Sequence, residues 1–221
     1  MTANPKEKQN KKNVKIIYPQ GKSKQNKLVA RSPDVVIPIA FPDYKIATPI
    51  GKLPELGHAG VLFFNGSNGT TKYYEYGRYD KENLGIVRKV IIPDVIMGKD
   101  GHPTKDSLTK TLKVISEKAG HNTRIKAVYI EAEKEYDKML THVENRRKLN
   151  GDKNRKSYSL FSNNCMTFAK ETVEAAGVKT PWMLDPRPNS YINELRSQFP
   201  DLDYDPKNNK LEIKEVYENA E

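Results

Sequence analysis

Cys165 is the only cysteine in the 221-residue chain, and it directly follows Asn163-Asn164 at the head of an amphipathic run, LFSNNCMTFAKETVEAAGV, over residues 160–178. A lone free cysteine is most often a small apolar core residue. At the first position of a helix it has a second use. Unpaired N–H groups and the positive end of the helix dipole favour a thiolate, the form of the side chain that attacks carbonyl carbon. Ser162, Asn163 and Asn164 offer a cap and amide donors, and Asn164 and the N–H of Cys165 are candidates to hold an oxyanion.

A cysteine nucleophile needs a base, and the four histidines are unequal candidates. His102 lies in a Gly-Pro loop, His121 follows the helix-ending Gly120, and His142 sits within a charged helix, so capping or solvated roles fit all three. His58 differs. The text LGHAGVLFF puts it at the first position of an apolar strand, with Gly57 and Gly60 as small neighbours. Alternation sets His58, Gly60, Leu62 and Phe64 on one face. If the hairpin centres between Ser67 and Asn68, Gly60 faces Glu75 and His58 is its diagonal neighbour. Glu75 can then orient the imidazole and stabilise its cation, the third role in a Cys–His–acid arrangement. A one-residue slip substitutes Tyr76 in that orienting place.

These residues must be positioned by surrounding elements. Residues 32–56 are punctuated by Pro33, Pro38, Pro42, Pro49 and Pro54 and read as extended chain laid against a core. HAGVLFF and TTKYYEYG form a hairpin across NGSNG, where Asn-Gly supplies positive φ. A third strand covers 85–92, and DVIMGKDGHPT is a loop. Residues 104–119 carry Leu108, Leu112 and Ile115 at helical spacing, with Gly120 as the stop. Residues 124–130 alternate as a strand, and 131–149 read as a long charged helix. The Cys165 helix runs over 165–176 with Gly177 at C′. A Pro-rich turn then leads to a helix near 190–198 capped by Asn189. The sum is α+β, a small antiparallel sheet packed against helices.

Charge divides the chain. Residues 1–31 hold nine Lys or Arg and one Glu, a net of +8, which leaves only +2 of the chain's +10 for the other 190 residues. Residues 1–31 are therefore a basic flexible arm, 32–200 the folded domain, and 201–221 a polar C-terminal extension that ends in a polar hairpin or frayed strand. A lysine run without a base-reading element gives no reason to expect specific nucleic-acid binding. One cysteine excludes an internal disulfide. No His/Asp/Glu/Cys cluster has metal-ligand spacing, and no cofactor is expected. No apolar run approaches the roughly 18 residues of a membrane span, and the N-terminus lacks the apolar core of a secretory signal.

GHAGVLFF, then KYYEYGRYD, then YSLFSNNCMTFAKE resemble the permuted NlpC-like branch of the papain-fold cysteine hydrolases, which includes the lecithin–retinol acyltransferase-like proteins and in which the His-bearing hairpin precedes the Cys-bearing helix. More narrowly, the chain resembles bacterial type VI secretion effectors of that group, over roughly residues 53–199 and including PWMLDPRPNSYINEL. The resemblance implies Cys165 as nucleophile, His58 as general base and then acid, and Glu75 as the orienting residue. It also implies an amide bond in a peptidoglycan stem peptide as substrate, export by a specialised secretion system with action in a target cell's periplasm, a spike or adaptor partner, and a cognate immunity protein. The lipid-ester hydrolases or acyltransferases of the same fold are the alternative. A non-enzymatic adaptor or nucleic-acid-binding module with a basic arm is the reading from a different class.

Overall fold

A computed structural model of the chain describes residues 32–48, 51–53, 57–80 and 84–214. The basic arm over 1–31, Pro49, Pro54 and the last residues of the C-terminal extension lie outside the described residues.

The chain enters through β1 (Asp34–Phe41), forms a short separate hairpin from β2 (Ile46–Thr48) and β3 (Gly51–Leu53), and continues into β4 (His58–Phe64), β5 (Thr71–Gly77) and β6 (Ile86–Val90). Helix α1 (Lys105–Lys118) follows, then β7 (Ile125–Val128), β8 (Ile130–Ala132) and α2 (Tyr136–Lys148). Helices α3 (Cys165–Ala175) and α4 (Pro188–Leu195) precede a final hairpin, β9 (Asp201–Asp205) and β10 (Lys210–Lys214). The main sheet runs β10-β9-β7-β1-β4-β5-β6, with β8 also on β1, and its pairings are antiparallel. The architecture is α+β.

The Pro-punctuated stretch expected to lie against a core contributes β1 as the central strand of the sheet, with all eight of its residues buried. Its Pro38 has no N–H to give to a ladder. The β7 and β8 pairings to β1 share one register, Ile39 opposite Ala127 and Val36 opposite Ile130. The gap between them falls at Ile37 and Pro38, so the missing donor divides one long partner strand into two.

Helices cover both faces of the sheet. On one, Val36, Ala40, Val61, Phe63 and Tyr74 meet Met139 and Val143 of α2, Phe168, Ala169 and Val173 of α3, and Ile192 of α4. On the other, Ile37, Ile39, Leu62, Phe64 and Tyr73 meet Leu108, Leu112 and Ile115 of α1. α1 starts where Thr104 caps it, its hydroxyl accepting from the Ser107 N–H.

Three sequence expectations are corrected. The charged helix begins at Tyr136, not at 131, because Ile130–Ala132 pairs with β1 and Lys134 sits at φ +55, outside helical space. α4 begins at Pro188, with Arg187 as its N-cap residue instead of Asn189. Proline at the first helical turn loses no bond, since that N–H has no intrahelical partner. The C-terminal stretch 201–214 is part of the main sheet, not an appendage. β9 pairs with β7, and Leu202, Tyr204 and Leu211 are buried in the α1-side core.

Candidate active site

Cys165 is the first residue of α3, 3% exposed. Asn164 builds that helix start: its Oδ1 accepts from the N–H groups of Met166 and Thr167, both at 2.9 Å, and Thr167 Oγ1 accepts from the Asn164 N–H at 2.8 Å. This reciprocal capping box leaves the Asn164 carboxamide little to offer a ligand, since its Nδ2 donates to the Leu160 carbonyl at 2.7 Å. Asn164 lines the cleft as the cap, with the side-chain donor predicted for an oxyanion already engaged. Ser162 is exposed and takes no part in the cap.

His58 opens β4, 6% exposed. The β4–β5 turn places Gly69 at φ +75, and the resulting register sets Gly60 opposite Glu75. His58 Nε2 lies 3.0 Å from Glu75 Oε2, with Glu75 only 1% exposed. Tyr76 points to the opposite face of β5, where its hydroxyl donates to the Leu84 carbonyl and accepts from Asn163 Nδ2 at 2.9 Å. The one-residue slip is therefore not adopted, and Tyr76 holds the loop before Cys165 instead of orienting His58.

The structure brings Cys165, His58 and Glu75 together. The imidazole is hydrogen-bonded to Glu75, and the Cys165 side chain lies close enough to act on it through hydrogen bonding and charge. Because Nε2 faces Glu75 and, at 3.2 Å, the Tyr79 hydroxyl, Nδ1 is the ring nitrogen left for the sulfur. Phe41 stacks on the ring at a centroid distance of 6.1 Å and Tyr44 tilts onto it at 5.2 Å, which fixes its plane. Burial works to lower the His58 pKa, but the hydrogen bonds and negative charge of Cys165 and Glu75 outweigh it and raise the value to about 9.

Several members of this site had no sequence signal of their own. Glu75 is gripped from its other side by Arg88 Nε at 3.3 Å from Oε1, and Arg88 is its cross-strand partner on β6. The Arg88 guanidinium also lies 4.5 Å above the Tyr79 ring. The Tyr73 hydroxyl reaches Glu75 Oε2 at 3.5 Å. Burial and the Glu75 charge raise the pKa of both Tyr73 and Tyr79, so both stay protonated donors. Tyr158, seven residues before the cysteine, has its hydroxyl 3.9 Å from Cys165 Sγ and hydrogen-bonded to the Cys165 backbone. Its pKa is raised by burial and by the sulfur's charge.

Gly60 makes room for this network. A Cβ there would stand 2.2 Å from the Tyr73 hydroxyl oxygen, and Tyr73 is fully buried with no space to retreat. Gly60→Ala should therefore cost about 1–3 kcal/mol of stability, as overpacked cores do, read as a lower urea midpoint at unchanged slope. An unchanged midpoint would mean that Tyr73 relocates freely.

Above the sulfur opens a cleft of about 190 Å³, lined by Gly57, Tyr158, Leu160, Phe161, Asp185 and Pro188 among others. Phe161, Trp182 and Leu184 stand more than 80% exposed, the first on the cleft's rim. Of the other histidines, His142 faces Glu171 at 4.0 Å and His102 faces Glu131 at 3.8 Å, away from this site. His121 is tilted against Tyr44 at a centroid distance of 4.8 Å, with that ring between it and His58. Among the described residues no group of three His, Cys, Asp or Glu could hold a metal ion, and no helix is long and apolar enough to cross a membrane.

A family model described as type VI secretion system effector TseH-like matches residues 36–180. The crystal structure of the type VI secretion system effector TseH superposes with a TM-score of 0.75 at 38% sequence identity, covering 83% of this chain and 99% of that one. No curated protein matches the chain.

Proposed function

The chain belongs to the TseH-like family of type VI secretion system effectors, and from that premise we propose that it is a cysteine hydrolase of the permuted NlpC-like, papain-like fold that cuts an amide bond in peptidoglycan stem peptides. The observation that carries this reading is the buried chain of hydrogen bonds from Cys165 through His58 to Glu75 at the floor of an open cleft.

The chemistry is acyl transfer to water. His58 is protonated below about pH 9, and the attacking form of the sulfur is the thiolate beside that imidazolium. The sulfur attacks the scissile carbonyl carbon, and the carbonyl electron pair moves onto oxygen. The Tyr158 hydroxyl, 3.9 Å from Cys165 Sγ, and the Cys165 N–H bonded to it are the donors this reading assigns to that oxyanion. Collapse expels the amine, which takes its proton from His58 Nδ1 and leaves a thioester on Cys165. Neutral His58 then takes a proton from water, hydroxide adds to the thioester, and the carboxylic acid leaves as the thiolate and imidazolium are restored. Glu75 holds the ring throughout and stabilises its charged form. No cofactor enters any step.

Type VI delivery to target cells, a secretion-apparatus partner and a protective immunity protein accord with the same family membership; in this reading the protein acts in the target cell's periplasm, a spike or adaptor is the partner, and the basic arm over 1–31 is the loading handle. The test is digestion of purified sacculi by the protein, with the released fragments weighed to locate the bond. A new amine and carboxyl pair within the stem peptide is expected. Intact sacculi together with fatty-acid release from phospholipid vesicles would replace the amide with a lipid ester. No hydrolysis of either, combined with loss of partner binding when residues 1–31 are deleted, would favour the adaptor reading.

A further inference from the structure

The cations around the site differ in what they are bound to. Arg88 is drawn onto the Glu75 carboxylate and Arg187 onto Asp185. Arg78 is exposed, and among the described residues no carboxylate pairs with it. Its guanidinium lies over the Tyr158 ring, 5.2 Å from the centroid, and Tyr158 is itself stacked on Tyr76 at 5.5 Å. The hydroxyl at the far end of that ring is the one 3.9 Å from Cys165 Sγ. A long, exposed side chain thus lies over a fixed ring whose far end reaches the nucleophile. Guanidinium on an aromatic face keeps its in-plane N–H groups free for a planar anion, and a carboxylate matches them two to one.

We propose that Arg78 is a substrate-binding residue whose guanidinium takes a carboxylate of an acidic peptide close to the scissile amide. The separation along the platform, at most about 12 Å from sulfur to guanidinium, corresponds to roughly three residues of extended chain. This deepens the hydrolase reading and rests on Cys165 being its nucleophile. It narrows the substrate to peptides with a free carboxylate near the cut, and a neutral acyl ester would leave Arg78 without a partner.

Two alkylating agents of the same shape test it without any substrate. Iodoacetate carries the carboxylate and iodoacetamide does not. The ratio of their rates on Cys165 should fall about 5-fold in Arg78→Gln, the effect of one charge up to about 12 Å away in a partly hydrated site, and should largely survive in Arg78→Lys. His58 and Arg88 act on both variants alike, so their attraction for the anion cancels in the comparison. With stem peptides, Arg78→Gln should raise KM about 10-fold while kcat holds, and peptides whose carboxylates are amidated should show no such change. A ratio unaffected by Arg78→Gln, or equal KM increases for free and amidated peptides, overturns the subsite and leaves the nucleophile standing. A thiol that reacts with neither reagent removes the nucleophile and the subsite with it.

Discussion

Replacing Cys165 with Ala or His58 with Gln should each lower the rate of stem-peptide release from sacculi by about 10⁴-fold or more, and the double variant should be no slower than either single one. Catalytic groups that act as one unit lose nearly all of their effect when any one is removed. Here the proposed unit is the sulfur and the imidazole beside it, between which the proton passes. Without the ring the sulfur has no partner to take and return that proton, and without the sulfur the ring has nothing to activate. Gln is chosen at 58 because truncation to Ala would strand the Glu75 carboxylate, 1% exposed, facing only Arg88 and two phenols. Breaking a buried charge pair by removing one partner commonly costs about 3–5 kcal/mol, which would confuse unfolding with lost chemistry. A Gln amide can still donate to Oε2. Thermal melting of each variant gives the folded fraction against which its rate is normalised. Losses that multiply in the double variant would mean that the two residues act independently, and the proposed mechanism would fail.

The parts of this site that sequence reasoning reached are those fixed by short-range rules. The NGSNG turn and the alternation of HAGVLFF and TTKYYEYG leave two registers one residue apart, and the one centred between Ser67 and Asn68 is adopted, which puts Glu75 rather than Tyr76 beside His58. Asn164 before a run of helical spacing marks the start of α3, and a capping box forms there. What escaped was decided by chain that is distant in sequence. Nothing local in residues 131–135 forbids a helix. β8 forms at Ile130–Ala132 because β1 has an open edge beside it, and the helix must wait until Tyr136. DLDYD and KLEIK read from sequence as a polar hairpin or frayed strand, and a hairpin forms. What composition hid is that it extends the main sheet, because β7 offers Leu202 and Tyr204 a buried face. Arg88 belongs to the site only through a second hairpin register, and Tyr158 lies in a loop with no periodicity to betray its direction. A register can be counted from a tight turn, but the path of a loop back across the sheet cannot.

Glu75→Gln should move the alkaline edge of activity down from about pH 9 towards the ordinary histidine range and slow the reaction by about 10²-fold or more. Two groups hold the imidazole in its charged form, Cys165 and Glu75, and both oppose a burial penalty that acts the other way. The variant removes one of them while keeping an amide of the same shape against Nε2. The remaining pull of the sulfur must then work alone against burial. His58 loses its proton at lower pH, and the acid that serves the leaving amine disappears with it. Stability follows the same linkage. A histidine whose folded pKa lies above its unfolded value of 6.5 contributes stability that is complete below about pH 6.5 and is lost as the pH rises through about 9. The wild-type Tm should therefore decline across that window. Gln at 75 should flatten the decline and lower the Tm at its acid end, where the wild type has its full charge pair. The Arg88 guanidinium is left facing a neutral amide in the variant, and at 45% side-chain exposure water can solvate it, so this loss does not mask the shift. An activity edge that stays near pH 9 in Glu75→Gln would show that the sulfur alone keeps the ring protonated. Glu75 would then be a packing partner of His58, and the proposed three-residue site would reduce to two.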